Sequence, residues 1–536
     1  MYRSNVQSPN LQSLIPNFLD WLLALLPILV VLVLMLRFRW GAAKAGAVGW
    51  LAALLVAALR FGAGRDVLIC AQLKGLLLTL FVLYVIWAAL LFYRVTDEAG
   101  VLSAIGAGLP RLTPRRGLQA LLLAWAFGAF LQGVSGFGVP VAIIAPLLVG
   151  LGFPAVAAVV IASVGHSWAV TFGSLGSSFY TLIGATGRSG EELAPWCALM
   201  LGLACLGCGA GTLWAAGGKR ALLSNLAPLF IIGPVMAATQ FLVVTNGMWS
   251  IGGMTGGLAG LAVGVAWARR ERGSAGFADQ ARTGSPLRRG EVAGEGFRWA
   301  LFPYALLVAL VLTARLIPPA RDFLGQIVIR VQFPDLTTSR GWVTPAGTGR
   351  AINLFGHAGA LLVYAALITY GLFQRQGRYA PGAARRIAHT VAQKATRSSL
   401  GITAMVGMAL TMEHAGMTHL LAQGIARVAG PAFPLVSPFI GALGAFMTGS
   451  NTNSNVVFGG MQQQVAALVG VSPLIILAAQ TAGGAIGSMF APAKIIVGCS
   501  TVDLGGREGP VLRAAMRYGL AIVAGLALAT VVAVYF

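Results

Sequence analysis

Apolar runs long enough to cross a lipid bilayer recur along this chain, and they leave it few ways to fold. Residues 18–36, 67–93, 194–216, 222–244, 299–316, 355–373 and 511–536 each approach or exceed the ~20 residues that a helix needs to span a ~30 Å hydrocarbon core. Backbone inside that core must satisfy its own hydrogen bonds, and runs this continuously apolar do so as helices. The sequence is 57% hydrophobic and only 10% charged, which fits a polytopic bundle better than a string of soluble domains. No short apolar core with a small-residue cleavage site precedes the first run, so a retained helix is expected at 18–36.

The formal net charge of +22 does not point to nucleic acid. Lys and Arg gather in short loops between apolar runs, where they set orientation in the membrane. Arg37, Arg39 and Lys44 follow the first run, and Arg94, Arg111, Arg115 and Arg116 follow the third. Residues 375–397 hold six basic side chains and no acid, the strongest cytoplasmic marker in the chain. This topology puts the segment 318–350 outside as a structured periplasmic loop. It makes the Arg-, Gly- and Ser-rich stretch 269–298 a flexible cytoplasmic loop. All five cysteines lie in apolar surroundings, so Cys205-x-x-Cys208 reads as helix packing rather than a metal or redox site. Neither a metal nor a cofactor is expected.

One segment breaks the apolar rule: 448–455, TGSNTNSN, a run of hydroxyls and carboxamides inside an otherwise greasy stretch. Uncharged polar backbone at membrane depth persists only where protein buries it or a wet cavity receives it. Interrupted spans of this kind mark the substrate site of secondary transporters. The segment also has a counterpart. AFLQGVSGFG from Ala129 matches AFMTGSNTNS from Ala445 at an offset of 316, and each is followed by a Pro turn at Pro154 or Pro473. A second apolar helix then breaks in small and polar residues, GSLGSS at 173–178 and TAGGAIGSMFAPAK at 481–494.

The loop charges have these two units entering from opposite faces. The expected fold is therefore an all-α polytopic membrane protein with an inverted-topology repeat, two re-entrant hairpins and two broken helices. The first repeat covers 1–216, with three helices, a hairpin at 117–151, a broken helix at 154–185 and a closing helix at 194–216. Two linking helices fill 217–268. The second repeat covers 299–536, with its hairpin at 433–470, broken helix at 473–504 and closing helix at 511–536. Its third helix is expected at 398–412, and 418–431 is expected to lie on the outer surface.

FLQGVSGFGVPVAIIAPLLVGLGFP, TGSNTNSNVVFGGMQQQ and GGAIGSMFAPAKIIVGCSTVDLGGREG resemble the bacterial lactate permease family, which carries lactate and glycolate. The resemblance implies a multi-pass protein of the bacterial inner membrane. Through a wider ion-transporter group with Ser-Asn-Thr hairpin tips, it also implies a homodimer and elevator-like motion. The family pattern usually has acids where this chain has Gln132 and Asn451. A membrane-buried carboxylate is a natural proton carrier, and an amide cannot titrate. Proton symport is the expected coupling, with Na⁺, or a different small anion such as a sulfonate, as the alternative.

Candidate substrate-binding residues follow from the motifs. The second tip offers Thr448, Ser450, Asn451, Thr452, Asn453, Ser454 and Asn455 to a carboxylate, or it merely satisfies its own backbone. The first tip offers Gln132, Gly133, Ser135 and Gly136, or these are small residues that let helices close up. The breaks add Ser174 and Thr481. Lys494 either neutralises the substrate anion or snorkels to an interface. His166, Glu413 and His414 are coupling candidates. His166 is otherwise a hydrogen-bonded core residue, and the other two are otherwise outer-surface groups. An enzyme is not expected, because a P-loop, an H-E-x-x-H and a nucleophile–base pair are all missing. A channel fits broken hairpins less well than alternating access does.

Overall fold

The computed structural model describes residues 18–536 apart from 39, 102–103, 105–112, 137, 275–294 and 506. In chain order the helices are α1 (Phe18–Leu36), α2 (Ala42–Leu59), α3 (Arg65–Glu98), α4 (Arg116–Val134), α5 (Val139–Gly150), α6 (Ala155–His166), α7 (Ser177–Thr186), α8 (Gly190–Ser224), α9 (Leu226–Thr245) and α10 (Gly252–Ser274). They continue as α11 (Glu295–Leu316), α12 (Pro318–Leu324), α13 (Ala358–Arg375), α14 (Ala383–His414), α15 (Met417–Ala429), α16 (Phe433–Thr448), α17 (Asn451–Val469), α18 (Pro473–Gly487), α19 (Pro492–Ser500) and α20 (Glu508–Tyr535). Among the described residues, ten helical spans are long and apolar enough to cross a membrane. The protein is an all-α multi-pass membrane protein.

Burial sorts these helices. The apolar window of α4 is 100% buried and that of α18–α19 94%, against 28% for α20. The segments that lead into the polar tips and breaks thus sit inside, as a bilayer requires, while α20 faces largely outward. Small residues allow the tight centre. A Cβ on Gly483 would fall 2.0 Å from the Pro438 carbonyl oxygen, so α16 and α18 touch backbone to backbone. Gly257 on α10 meets the Phe130 nitrogen of α4 in the same way, at 2.3 Å.

Two expected boundaries change. Residues 383–397 were expected to belong to a cytoplasmic loop, but they form the first turns of α14, which runs 32 residues rather than starting at 398. Ala, Arg, Lys and Gln are strong helix formers, and Ile387, Val391 and Ala395 make a buried stripe at i, i+4 spacing. Arg386 at its start bonds Glu98 at 2.7 Å, tying α14 to the end of α3. The second change is in the expected loop 269–298: α10 continues to Ser274 and α11 begins at Glu295. The remainder, 275–294, lies outside the described residues.

The segment after α12 is a long hairpin of three antiparallel strand pairs. β1 (Val328–Ile329) pairs with β6 (Ile352–Asn353), β2 (Gln332–Phe333) with β5 (Gly347–Thr348), and β3 (Leu336–Thr337) with β4 (Val343–Thr344). It caps one face of the bundle. Ser339 N–H donates to the Gly62 carbonyl at 2.9 Å, and Trp342 packs 5.0 Å from His419 of α15. The opposite face carries the Glu98–Arg386 pair.

Candidate functional site

Two hairpin turns and two helix breaks meet at the centre. The turn between α16 and α17 is built from local capping chemistry. Gly449 takes a left-handed conformation (φ 71°) to end α16, and Ser450 caps α17 by accepting from Asn453 N–H at 3.4 Å. This turns the first helical turns of α17, with Asn451 and Asn455 one turn apart, toward the breaks.

The break between α6 and α7 contains Ser174 (φ 47°), Leu175 (φ 56°) and Gly176 (φ 82°) in succession. Two non-glycine residues in left-handed space cost roughly 1–3 kcal/mol each, so the surrounding packing holds them there. The break between α18 and α19 is a 3₁₀ turn, Ser488–Phe490, followed by Pro492 at the first turn of α19.

Hydrogen bonds join the second tip to the first break and to α18, where Thr481 sits inside the helix rather than in the second break as expected. The Asn451 Nδ2 donates to Thr171 Oγ1 and Thr481 Oγ1, each at 3.2 Å. The Asn455 Nδ2 donates to the Ser178 carbonyl and to Thr481 Oγ1, each at 3.0 Å. Ser178 and Thr452 share a hydroxyl bond at 3.1 Å. Behind this layer Gln480 Nε2 donates to Ser454 Oγ at 3.0 Å, and Gln462 links Gln480 to Ser437. The first tip lies against the first break, with Gly136 pressed on Ser174 and the Gln132 backbone on Gly173.

A cavity of about 210 Å³ lies between them. It is lined by Gln132, Ser174, Thr448, Ser450, Asn451, Thr452, Asn453 and Lys494 from among the expected residues. Ala42 of α2 and Gly401 of α14 bound its remaining side. Ser177 and Ser178 also line it. They belong to the GSLGSS motif, and the motif itself was the signal that could have included them. Thr171 carries no sequence signal, because its role comes only from contact with Asn451.

The other expected residues stand elsewhere. Gly133 lies against α10, where a Cβ would come within 2.4 Å of the Met254 nitrogen. Ser135 bonds back to the Leu131 carbonyl at 2.7 Å. Gly136, Ser454, Asn455 and Thr481 form the layer behind the cavity wall. His166 is fully buried and bonds the Ala162 carbonyl through Nδ1 at 2.7 Å. Glu413 lines a separate small crevice with Met408, Val456 and Gly460, while His414 bonds the Leu410 carbonyl at 2.9 Å. Neither of these two lines the tip cavity.

Among the described residues, the cavity wall carries one ionisable side chain. Lys494 extends from the second break, its Nζ donating to Ser488 Oγ at 2.9 Å. Hydroxyls and carboxamides supply the rest of the polar wall, and no lining residue among the described ones carries a carboxylate. Several acceptors are left over: Gln132 Oε1 and the Oδ1 atoms of Asn451, Asn453 and Asn455 are buried without a partner among the described residues. The Ser178 carbonyl fixes the Asn455 amide, so its Oδ1 is an acceptor facing away from that bond.

Comparison with known proteins agrees over nearly the whole length. The family model for L-lactate permease matches residues 20–536. The chain is 28% identical to the L-lactate permease of Bacillus subtilis (strain 168), covering 92% of this chain and 94% of the relative. It is 27% identical to the L-lactate permease of Salmonella typhimurium (strain LT2), with 94% of each chain covered. It is 26% identical to the glycolate permease GlcA of Escherichia coli (strain K12), with 96% of each covered. These relatives are permeases, not enzymes. A bundle of apolar helices closed around polar breaks, matched from end to end, places this chain in the L-lactate permease family.

Proposed function

We propose that this protein is a secondary active carrier that imports small monocarboxylates, L-lactate, D-lactate or glycolate, across the bacterial inner membrane together with protons. The observation that carries this reading is Lys494 in a small cavity walled by hydroxyls and amides, with no opposing carboxylate among the described residues. One cation matches one carboxylate, and Ser and Thr hydroxyls match a 2-hydroxy group. The relatives' names, lactate and glycolate permease, agree with that chemistry.

Two re-entrant hairpins related by an inverted repeat are our reading of the architecture. The α4–α5 arms begin where Arg115 contacts Ser224 and Glu271. The α16–α17 arms begin where Pro431 accepts from the Tyr535 hydroxyl. Those two anchor points belong to opposite faces under the topology drawn from loop charge. The cavity borders Ala42, at the basic end of α2.

Uptake of radiolabelled lactate and glycolate into proteoliposomes tests the function, with a pH gradient or a sodium gradient imposed separately. Accumulation that follows the pH gradient and ignores sodium is expected. A specific observation supports a second reading: the unpaired amide oxygens near the tip are hard donors of the kind Na⁺ takes. Sodium-driven accumulation at fixed pH would select that alternative. A sulfonate competing better than lactate would replace the substrate.

A further inference from the structure

We propose that Lys494 itself carries the coupling proton, so that the amine is neutral in the empty carrier and becomes an ammonium only in company with the substrate anion. This rests on reading the tip cavity as the carboxylate site. Four observations lead to it. Gln132 and Asn451 cannot titrate. Glu413 and His414 lie outside the cavity. Lys494 is the one ionisable side chain among the described residues that lines it. Lys494 also makes no ion pair among the described residues, its partner being the Ser488 hydroxyl.

The elements around it supply no fixed counter-charge at the cavity. α19 packs against α5, α6, α20 and the Ser488–Phe490 turn. α5 and the turn have no ionisable side chain, and α6 brings His166, buried and bonded to a backbone carbonyl. The first turns of α20 bring Glu508, Arg513, Arg517 and Tyr518, none of which lines the cavity. Across the cavity, exposed Lys44 is two residues from Ala42.

Charge balance then dictates the cycle. An ammonium without a partner is costly to occlude in a low-dielectric site, whereas an ammonium–carboxylate pair is neutral. At the outer face the amine takes a proton, forming an N–H bond, and binds the anion. At the inner face the anion leaves and the same N–H bond gives up the proton to water. One anion and one proton cross, no net charge moves, and the empty carrier returns neutral. An arginine in this place holds its proton permanently. It would therefore allow exchange of loaded carriers but trap the empty one.

The experiment compares lactate counterflow with lactate accumulation driven by a pH gradient, in proteoliposomes of the full chain. Lys494→Arg is expected to keep measurable counterflow at a reduced rate, while its gradient-driven accumulation falls at least tenfold further than its counterflow. Lys494→Met is expected to lose both. A second measurement needs no Lys494 variant: titration calorimetry of lactate binding in buffers of different ionisation enthalpy. It should show close to one proton taken up per lactate at alkaline pH, in wild type and in His166→Gln alike. The proposal is overturned if Lys494→Arg accumulates lactate as wild type does. It is overturned equally if no proton accompanies lactate between pH 6 and pH 10, or if His166→Gln abolishes the uptake. Failure of the substrate reading looks different, since wild type would then show no lactate counterflow at all.

Discussion

Asn451 and Thr171 stand 280 positions apart in the chain, yet the Asn451 carboxamide donates to the Thr171 hydroxyl at 3.2 Å. The same Nδ2 reaches Thr481. One side chain at a hairpin tip thereby joins the first polar break to the middle of α18. The cavity beside it is defined by this junction and not by any one segment.

The first prediction concerns that junction. Asn451→Ala and Asn455→Ala should each lower lactate uptake or apparent affinity about five- to a hundredfold, the equivalent of ~1–3 kcal/mol for leaving the buried groups they hold, Thr171, Ser178 and Thr481, without a partner. Folded protein, measured by monodisperse elution in detergent, should be retained. Normal uptake by both variants would reduce the second tip to a structural turn.

A contrast between neighbouring glycines follows from close packing. The nearest atom to a Cβ on Gly483 is the backbone carbonyl oxygen of Pro438, at 2.0 Å. Gly483→Val should therefore destabilise the bundle by about 1–3 kcal/mol or more, seen as a lowered melting temperature. On Gly484 the nearest atom is the side-chain Oδ1 of Asn451, at 2.1 Å. Gly484→Ala should push that amide aside, so transport should fall further than thermal stability does.

Labelling tests the proposed inverted hairpins. Gly150 and Ser472 lie at the far ends of the two returning arms, and Gly150 has open space around its Cα. A cysteine at Gly150 should react with a membrane-impermeant maleimide only from the cytoplasmic side, and one at Ser472 only from the outside. Labelling of both from the same side would refute the inverted arrangement.

The capping hairpin should respond to acid. His357, just before α13, is 6% exposed and sandwiched against Tyr84 and Phe81. Burial pushes its imidazole pKa down to about 4, and the nearby Arg350 charge adds to this. The folded segment therefore favours the neutral ring, while an undocked segment binds the proton near the ordinary value of about 6.5. Stability is full above that value and is lost as pH falls toward 4, by up to about 3 kcal/mol. Limited proteolysis of 318–357 should accelerate between pH 7 and pH 4.5, and His357→Asn should flatten that dependence.

The sequence alone determined the membrane class and where the polar interruptions lie. These are local matters: a run of apolar side chains has one favourable solvent, and TGSNTNSN inside such a run has to be buried by protein. Family resemblance was legible for the same reason, in contiguous motifs around Gln132, Asn451 and Lys494. Only the tertiary structure decided which polar residues share the cavity. Ser178 joins Lys494 there, while Glu413 and His414 do not, because contact between α7, α17 and α19 depends on how helices hundreds of residues apart pack. The length of α14 was also a tertiary matter. A basic stretch reads as a loop by charge, yet Ile387, Val391 and Ala395 find a surface to bury against, and that burial carries the helix out to Ala383.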